Sequence, residues 1–356
     1  MTKLSLQITD IKFSEKGNYL AVGYNHGKVE LWGKTDSSWL MQWEVKYTCL
    51  PVLSLAYFKN HLVAIEEGWQ LFFLDSETGW IVKSVILDFN VYKNCCPSSI
   101  VFAVVQHGML FVASETGPVY IVDLDCLLNE ASDPIVNLSQ YNRYKFEEGF
   151  QGVNFFSRNE PCSSVIGRLA VPESISWISI TDDQSTARGI GKNGRLLNWN
   201  LYALELTTEV MYQTLDLPYY NVTGIELLNA RYMIITGHYD NEAAALLMDV
   251  KTGIILDRLN EINPFGIRKG INASSENFVF LATNKLLLLE IQDNRFKILS
   301  YIPWPEKIST LIYSGSAIDF EMDNNTIALS CNDDVILVDI FSKDVDTLKT
   351  PYALWV

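Results

Sequence analysis

Seven short apolar runs recur along the chain, each closing on a small or polar residue: Leu31-Trp32-Gly33, Phe73-Leu74-Asp75, Ile121-Val122-Asp123, Asn198-Trp199-Asn200, Leu247-Met248-Asp249, Leu288-Leu289-Glu290 and Leu337-Val338-Asp339. Their closing residues stand 42, 48, 77, 49, 41 and 49 positions apart. Five of these gaps share one band, and the longest is one such period plus an extra segment. Inside a period, apolar and polar positions alternate with period two, as at Ile11/Phe13, Leu20/Val22 and Val29/Leu31, which predicts half-buried strands. Glu15-Lys16-Gly17-Asn18 and Asn25-His26-Gly27 separate them with residues that tolerate positive φ, so both predict tight turns. A strand-rich unit of roughly 40 to 50 residues buries its faces only against its neighbours. The pattern therefore predicts an all-β, seven-bladed β-propeller with four-stranded antiparallel blades.

Residues 8–32 read as strand, turn, strand, turn and a strand ending at Trp32, and this first period resembles a WD40 repeat. Gly191-Lys192-Asn193-Gly194-Arg195-Leu196-Leu197-Asn198-Trp199-Asn200 resembles the family again. The other periods depart from it: no Gly-His pair precedes a first strand, and Gly33, Asn200 and Glu290 replace the closing Asp. The resemblance implies a divergent WD40-like propeller spanning residues 1–356 as one domain. Blades are expected at 8–45, 52–88, 99–140, 174–217, 222–259, 270–302 and 316–350, with an inserted loop at 140–174 between the third and fourth. Equivalent spacing puts Trp32 and Trp199 on third strands, packed between blades. Lys3-Leu4-Ser5-Leu6-Gln7 is a candidate to close the ring beside the strand at 335–339, since pairing there hides two open edges.

The insertion carries Tyr141, Tyr144, Phe146, Phe150, Phe155 and Phe156. A long connection inside a compact domain is usually functional, a lid or mobile. Its aromatics either anchor a partner or pin the loop to the propeller's own surface. With blade 3 ending at 134–139, the loop leaves from the face that also carries the turns between second and third strands. Tyr24, Trp69, His238 and Tyr239 are assigned to those turns, so the candidate partner-binding residues are Tyr24, Trp69, Tyr144, Phe146, Phe150, Phe155, Phe156, His238 and Tyr239. Shortening 140–174 is expected to leave the blades folded.

Composition fits a large aromatic core, with 17 Phe, 17 Tyr and 9 Trp among 356 residues. The net charge of −15 repels nucleic acid and anionic membrane and favours a basic protein segment as partner. Arg188, Lys192 and Arg195 form a local basic cluster, read either as an anion contact or as a solvated turn. No apolar run approaches a membrane span and the N-terminus lacks a signal-peptide core, so an intracellular location, cytoplasmic or nuclear, is expected. The six cysteines lack metal spacing and are expected as thiols; adjacent Cys95-Cys96 rarely bridge without strain.

Chemical motifs are weak. Gly189-Ile190-Gly191-Lys192-Asn193-Gly194 matches a dinucleotide fingerprint in letters, but Arg195-Leu196-Leu197-Asn198-Trp199-Asn200 continues as a strand where a phosphate-binding helix is required. His26, His61, His107 and His238 fall singly in different blades, and the acid pairs lie in or beside turns, where Asp serves the backbone. No catalytic residue, metal or cofactor is expected. The function implied is a non-catalytic interaction scaffold, a propeller subunit of a eukaryotic intracellular complex that binds a protein or peptide on its blade turns. The alternative is a propeller enzyme or the obligate regulatory subunit of one, a hydrolase or nucleotide-exchange factor.

Overall fold

A computed structural model describes residues 7–36, 38–68, 70–88, 100–114, 119–129, 135–137, 152–155, 165–169, 175–180, 186–191, 195–201, 209–216, 219–229, 231–239, 242–250, 254–260, 266–269, 278–282, 285–304, 317–323, 326–331, 334–339 and 345–348. The first strands are β1 (Ile8–Phe13), β2 (Tyr19–Tyr24), β3 (Lys28–Lys34) and β4 (Trp39–Lys46), followed by β5 (Val52–Phe58), β6 (His61–Glu66), β7 (Gln70–Asp75) and β8 (Ile81–Asp88). Next come β9 (Ile100–Gln106), β10 (Met109–Ser114), β11 (Val119–Asp123), helix α1 (Leu124–Asn129), β12 (Ile135–Asn137), β13 (Gly152–Phe155) and β14 (Val165–Leu169). They lead to β15 (Ile175–Ile180), β16 (Thr186–Gly191), β17 (Arg195–Asn200) and β18 (Glu209–Asp216). The chain continues through β19 (Tyr219–Leu227), β20 (Tyr232–Tyr239), β21 (Glu242–Asp249), β22 (Ile255–Asn260), β23 (Gly266–Lys269), β24 (Phe278–Ala282), β25 (Leu286–Gln292) and β26 (Arg295–Ile302). It ends with β27 (Ala317–Asp323), β28 (Thr326–Cys331), β29 (Asp334–Asp339) and β30 (Val345–Leu348).

Two compact units divide the chain, residues 1–49 with 219–356, and residues 50–218. The first unit holds four antiparallel meanders, β1–β4, β19–β22, β23–β26 and β27–β30. Their first strands lie side by side in succession, β19 against β23, β23 against β27 and β27 against β1. This is radial repetition, and each meander is a propeller blade. Between the last blade and the first, Ile8, Ile11, Phe13, Leu20, Val22 and Trp32 pack with Ala328, Val335, Leu337 and Leu348. Trp32 thus lies between blades on a third strand, as its spacing predicts. Chemistry dictates the turns. Gly27 closes the β2–β3 turn at φ +76°, and a Cβ there would lie 2.5 Å from the Thr48 carbonyl oxygen.

In the second unit, β5–β8 form a fifth blade, extended by β12, which pairs in parallel with β8. The remaining strands make one nine-stranded sheet, ordered β15-β16-β17-β18-β13-β14-β11-β10-β9. The expectation of separate third and fourth blades is corrected here. β13 pairs with both β14 and β18, so it joins two four-stranded meanders into one sheet. Trp199 on β17 is fully buried among Phe111, Ala113 and Ile121 of the neighbouring meander, again as predicted.

Other corrections follow from the 140–174 segment. The strand beside β11 is β14, while β12, at the 134–139 segment expected to fill that role, has gone to β8. The inserted chain therefore runs from the end of β11 to β14, inside a meander rather than between two. Sequence proximity favoured the nearer apolar triplet, but β14 brings Val165 and Leu169, both buried, onto the core. Replacing 140–174 by a short linker is consequently expected to destabilise the second unit, by thermal melting, because it removes β13 and β14 together. Both edges of β29 are taken, by β28 and β30, and residues 3–6 of the expected closing segment lie outside the described residues. Among the described residues, the last and first blades meet through side-chain packing. Among the described residues, no helix is long and apolar enough to cross a membrane.

Candidate partner-binding surfaces

Tyr24, expected as a surface anchor, ends β2 with only 2% of its surface exposed. Its hydroxyl donates to Glu30 Oε2 at 2.8 Å, so the ring is a core element, and the partner-binding assignment is corrected. The fully buried Glu30 also accepts from Trp32 Nε1 at 3.0 Å and Lys28 Nζ at 2.5 Å. Burial first, then the positive charges of Lys46 and Lys28, holds the neighbouring His26 below its ordinary pKa, against the pull of Glu30. His238 and Tyr239 belong to the end of strand β20, opposite Ala243 and Glu242, rather than to a turn. Phe155 is the last residue of β13. The side chains of His238, Tyr239 and Phe155 lie outside the described residues, as do Trp69, Tyr144, Phe146, Phe150 and Phe156 altogether.

The expected sharing of one face by the insertion and the second-to-third-strand turns also needs correction. Helix α1, where the insertion begins, is tied to the opposite end of the meanders. Leu124 N–H donates to Gly108 O in the β9–β10 turn, Asp125 pairs with Lys59 in the β5–β6 turn, and Lys83 Nζ donates to Leu127 O. The cause is the placement of the insertion after a third strand instead of a fourth.

At this same end of the β5–β8 blade lies a surface that the sequence reading missed. Trp80, in the β7–β8 turn, is 77% exposed, and Ile81 and Val82 beside it are also exposed. The turn is rigidly built. Asp75 Oδ1 accepts from Thr78 Oγ1 at 2.7 Å, Thr78 N–H at 2.8 Å and Glu77 N–H at 3.1 Å, while Gly79 takes φ +73°. Asp75 N–H donates to Trp80 O at 2.9 Å, fixing the tryptophan backbone. Successive strand residues ordinarily face opposite sides, but the β7–β8 register shifts between Phe73 and Leu74, and this bulge leaves both Ile81 and Val82 exposed. A repeated motif signals the surface: Asp75-Ser76-Glu77-Thr78-Gly79-Trp80 matches Asp249-Val250-Lys251-Thr252-Gly253-Ile254 at its Asp, Thr and Gly. In the latter, Asp249 N–H donates to Ile254 O at 2.9 Å and Ile254 is 60% exposed.

The Thr78 hydroxyl, followed by the Thr78 and Glu77 amides and the charge of His61, holds the Asp75 carboxyl below its ordinary value of 3.8. Since the folded value is the lower one, the contribution is fully present above the ordinary carboxylate range and is lost as pH falls through the folded value. The Trp80 turn should therefore stay fixed across neutral pH and release in strong acid. The Thr78 amide shift followed against pH checks this; Asp75→Asn should abolish the titration.

Among the described residues, no three His, Cys, Asp or Glu side chains come close enough to hold a metal. The glycine-rich run ends β16, and β17 follows as its antiparallel partner, so no helix N-terminus faces the glycines. Arg188 is buried within β16, which corrects its reading as a solvated turn residue. Lys192 and the Cys95-Cys96 pair lie outside the described residues.

Radially stacked four-stranded meanders define the all-β propeller class, and comparison with solved structures agrees. The chain is similar to the WD40 β-propeller domain of Doa1, with 13% identity and a TM-score of 0.59 over 99% of this chain and 95% of that one. It is also similar to the β-propeller domain of Myceliophteria thermophila Cps50 (Swd1), at 12% identity and TM-score 0.59 over 96% and 95% of the two chains. The C-terminal WD40 domain of Sif2 gives 10% identity and TM-score 0.61 over 98% and 97%. No protein-family model and no curated protein sequence matches the chain. The fold is that of WD40 propellers, with sequence far removed from these three.

Proposed function

We propose that the chain is a single seven-bladed WD40-like propeller acting as a non-catalytic protein-interaction scaffold in an intracellular multiprotein complex. The count of seven rests on treating β9-β10-β11-β14 and β15-β16-β17-β18 as two blades joined edge to edge by β13. Each has the antiparallel first-to-fourth strand order of the five separate blades. Binding, in this reading, is recognition by preformed turns, with the acidic chain steering a basic protein segment toward it.

The observation that carries the reading is the Trp80 surface. A tryptophan held open by a hydrogen-bonded turn, with two exposed aliphatic neighbours, has the composition and rigidity of an interface anchor. Trp80→Ala is expected to change stability by no more than about 0.5 kcal/mol, because so little of the ring is buried. The same variant should lower recovery of partner proteins by about tenfold or more in quantitative co-purification. Unchanged recovery with a folded variant would remove the surface from the interface.

A further inference from the structure

Two turns of the chain share one frame and differ in charge. His61 pairs with Asp75 and Tyr232 with Asp249, each where the second strand of a blade begins and the third ends. The residues just before those second strands, Asn60 and Arg231, are equivalent as well. Asn60 O accepts from Ser76 N–H at 3.1 Å, and Arg231 O accepts from Val250 N–H at 2.8 Å. Both turns then close through the same hydrogen bond, from the Asp N–H to the carbonyl oxygen of Trp80 or Ile254. The side chains of one turn can therefore be compared with those of the other position by position.

Three positions differ, all in one direction. Arg231 Nε lies 3.6 Å from Asp249 Oδ2, so that acid has a cation beside it, whereas neutral Asn60 takes the place of this arginine beside Asp75. Glu77 stands where the second turn has Lys251, and Trp80 where it has Ile254. The Trp80 turn thus carries two acids and no cation of its own, and the Ile254 turn one acid and two cations. Lys59 and Lys83, at this end of the β5–β8 blade, are engaged by α1, the first with Asp125 and the second with Leu127 O. Since the face of an indole is the negative pole of its quadrupole, the ring and the two carboxylates both favour an incoming cation.

The surface is open to one. Trp80 is 77% exposed, Glu77 is exposed in the same turn, and Ile81 and Val82 add apolar area beside the ring. Three hydrogen bonds to Asp75 Oδ1 fix the turn before any ligand arrives. Among cationic side chains, a guanidinium suits such a surface best: it is planar and weakly hydrated, and it can stack on an aromatic face while its edge donates to a carboxylate.

We propose that the Trp80 turn is an arginine-recognition site, in which the guanidinium of a bound protein segment stacks on the Trp80 indole, drawn by Glu77 and Asp75. An apolar residue next to that arginine covers Ile81 and Val82. The inference rests on the scaffold reading above and names the side chain that its Trp80 surface takes.

The test uses the full chain and three pentapeptides with blocked ends: Gly-Val-Arg-Val-Gly, its lysine version, and its citrulline version as a neutral isostere of arginine. In ligand-observed NMR the arginine peptide should bind about fivefold more tightly than the citrulline peptide, with the lysine peptide between them. Trp80→Leu keeps an apolar side chain without the ring face and should remove most of that preference. Glu77→Lys gives the turn the charge of its counterpart; it should weaken the arginine peptide about fivefold and leave the citrulline peptide unchanged. Both side chains lie on the surface, so thermal melting of the two variants should match the parent chain. Equal affinity for the arginine and citrulline peptides, no binding of any peptide, or an arginine preference that survives in either variant would overturn the site. If Trp80→Ala lowers partner recovery while the peptides show no arginine preference, the scaffold reading stands and this site falls, the ring taking an apolar side chain instead. If the preference appears and partner recovery is unchanged by Trp80→Ala, arginine recognition stands and the scaffold reading at Trp80 falls.

Discussion

Replacing Glu30 by alanine is expected to cost the first blade about 3–5 kcal/mol, the scale seen when one member of a buried charged network is removed. Three donors converge on this fully buried carboxylate: Tyr24 Oη, Trp32 Nε1 and Lys28 Nζ. Deleting the acceptor leaves Tyr24 and Trp32 to find new partners, and the largely buried lysine loses its nearer counter-charge, keeping only Glu44 at 3.4 Å. The lesion also lies close to the packing between first and last blades, since Tyr24 and Trp32 both belong to the cluster that includes Val335 and Leu337. A Lys28→Met, Glu30→Leu double variant should recover much of the loss, because an apolar pair requires no desolvation of charge. Urea denaturation of the two variants and the parent checks both statements; a Glu30→Ala chain within about 1 kcal/mol of the parent would show that the network contributes little.

Trp199→Ala is expected to have a comparable effect on the second unit, about 3–5 kcal/mol. The ring is wholly buried between two meanders, against Phe111, Ala113, Ile121 and Leu169. Its removal leaves a cavity lined by strands that hydrogen bonding holds in place, and Ile180 N–H is additionally fixed to Gln106 Oε1 across the same junction at 2.7 Å. Little collapse into the void is therefore available. A lowered denaturation midpoint with an unchanged slope is the expected signature, and Trp199→Phe should recover part of the stability by refilling most of the volume.

Much of the blade pattern was legible because its causes are local. Period-two alternation at Leu20/Val22 and Val29/Leu31, and turns such as Asn25-His26-Gly27, depend only on side chains a few residues apart, so strands, hairpins and the placement of Trp32 and Trp199 could be read directly. Tyr24 was misread for the opposite reason. Its position at a strand end was correctly inferred as near a turn, but whether its ring faces water depends on Glu30 receiving its hydroxyl, a choice of partner that alternation does not encode. Trp80 stood beside a repeated Asp-x-x-Thr-Gly turn and was visible in principle; the exposure of Ile81 and Val82 beside it follows from a bulge in β7–β8 pairing, which shifts the facing of two residues without altering their hydrophobic character.

The sequence by itself determined the repeating strand-and-turn unit, because each hairpin is specified by neighbours along the chain. Tertiary structure alone decided where the chain between β11 and β14 would pair: β12 joined β8, β13 joined β14 and β18, and β14, more than forty residues beyond β11, became its neighbour. It also decided that Glu66, at a strand end beside a turn, would be buried. Several apolar segments had similar strand character, and loop-closure entropy grows too slowly with length to favour the nearest one. The selection fell to whichever pairing buried Val165 and Leu169 against the existing core.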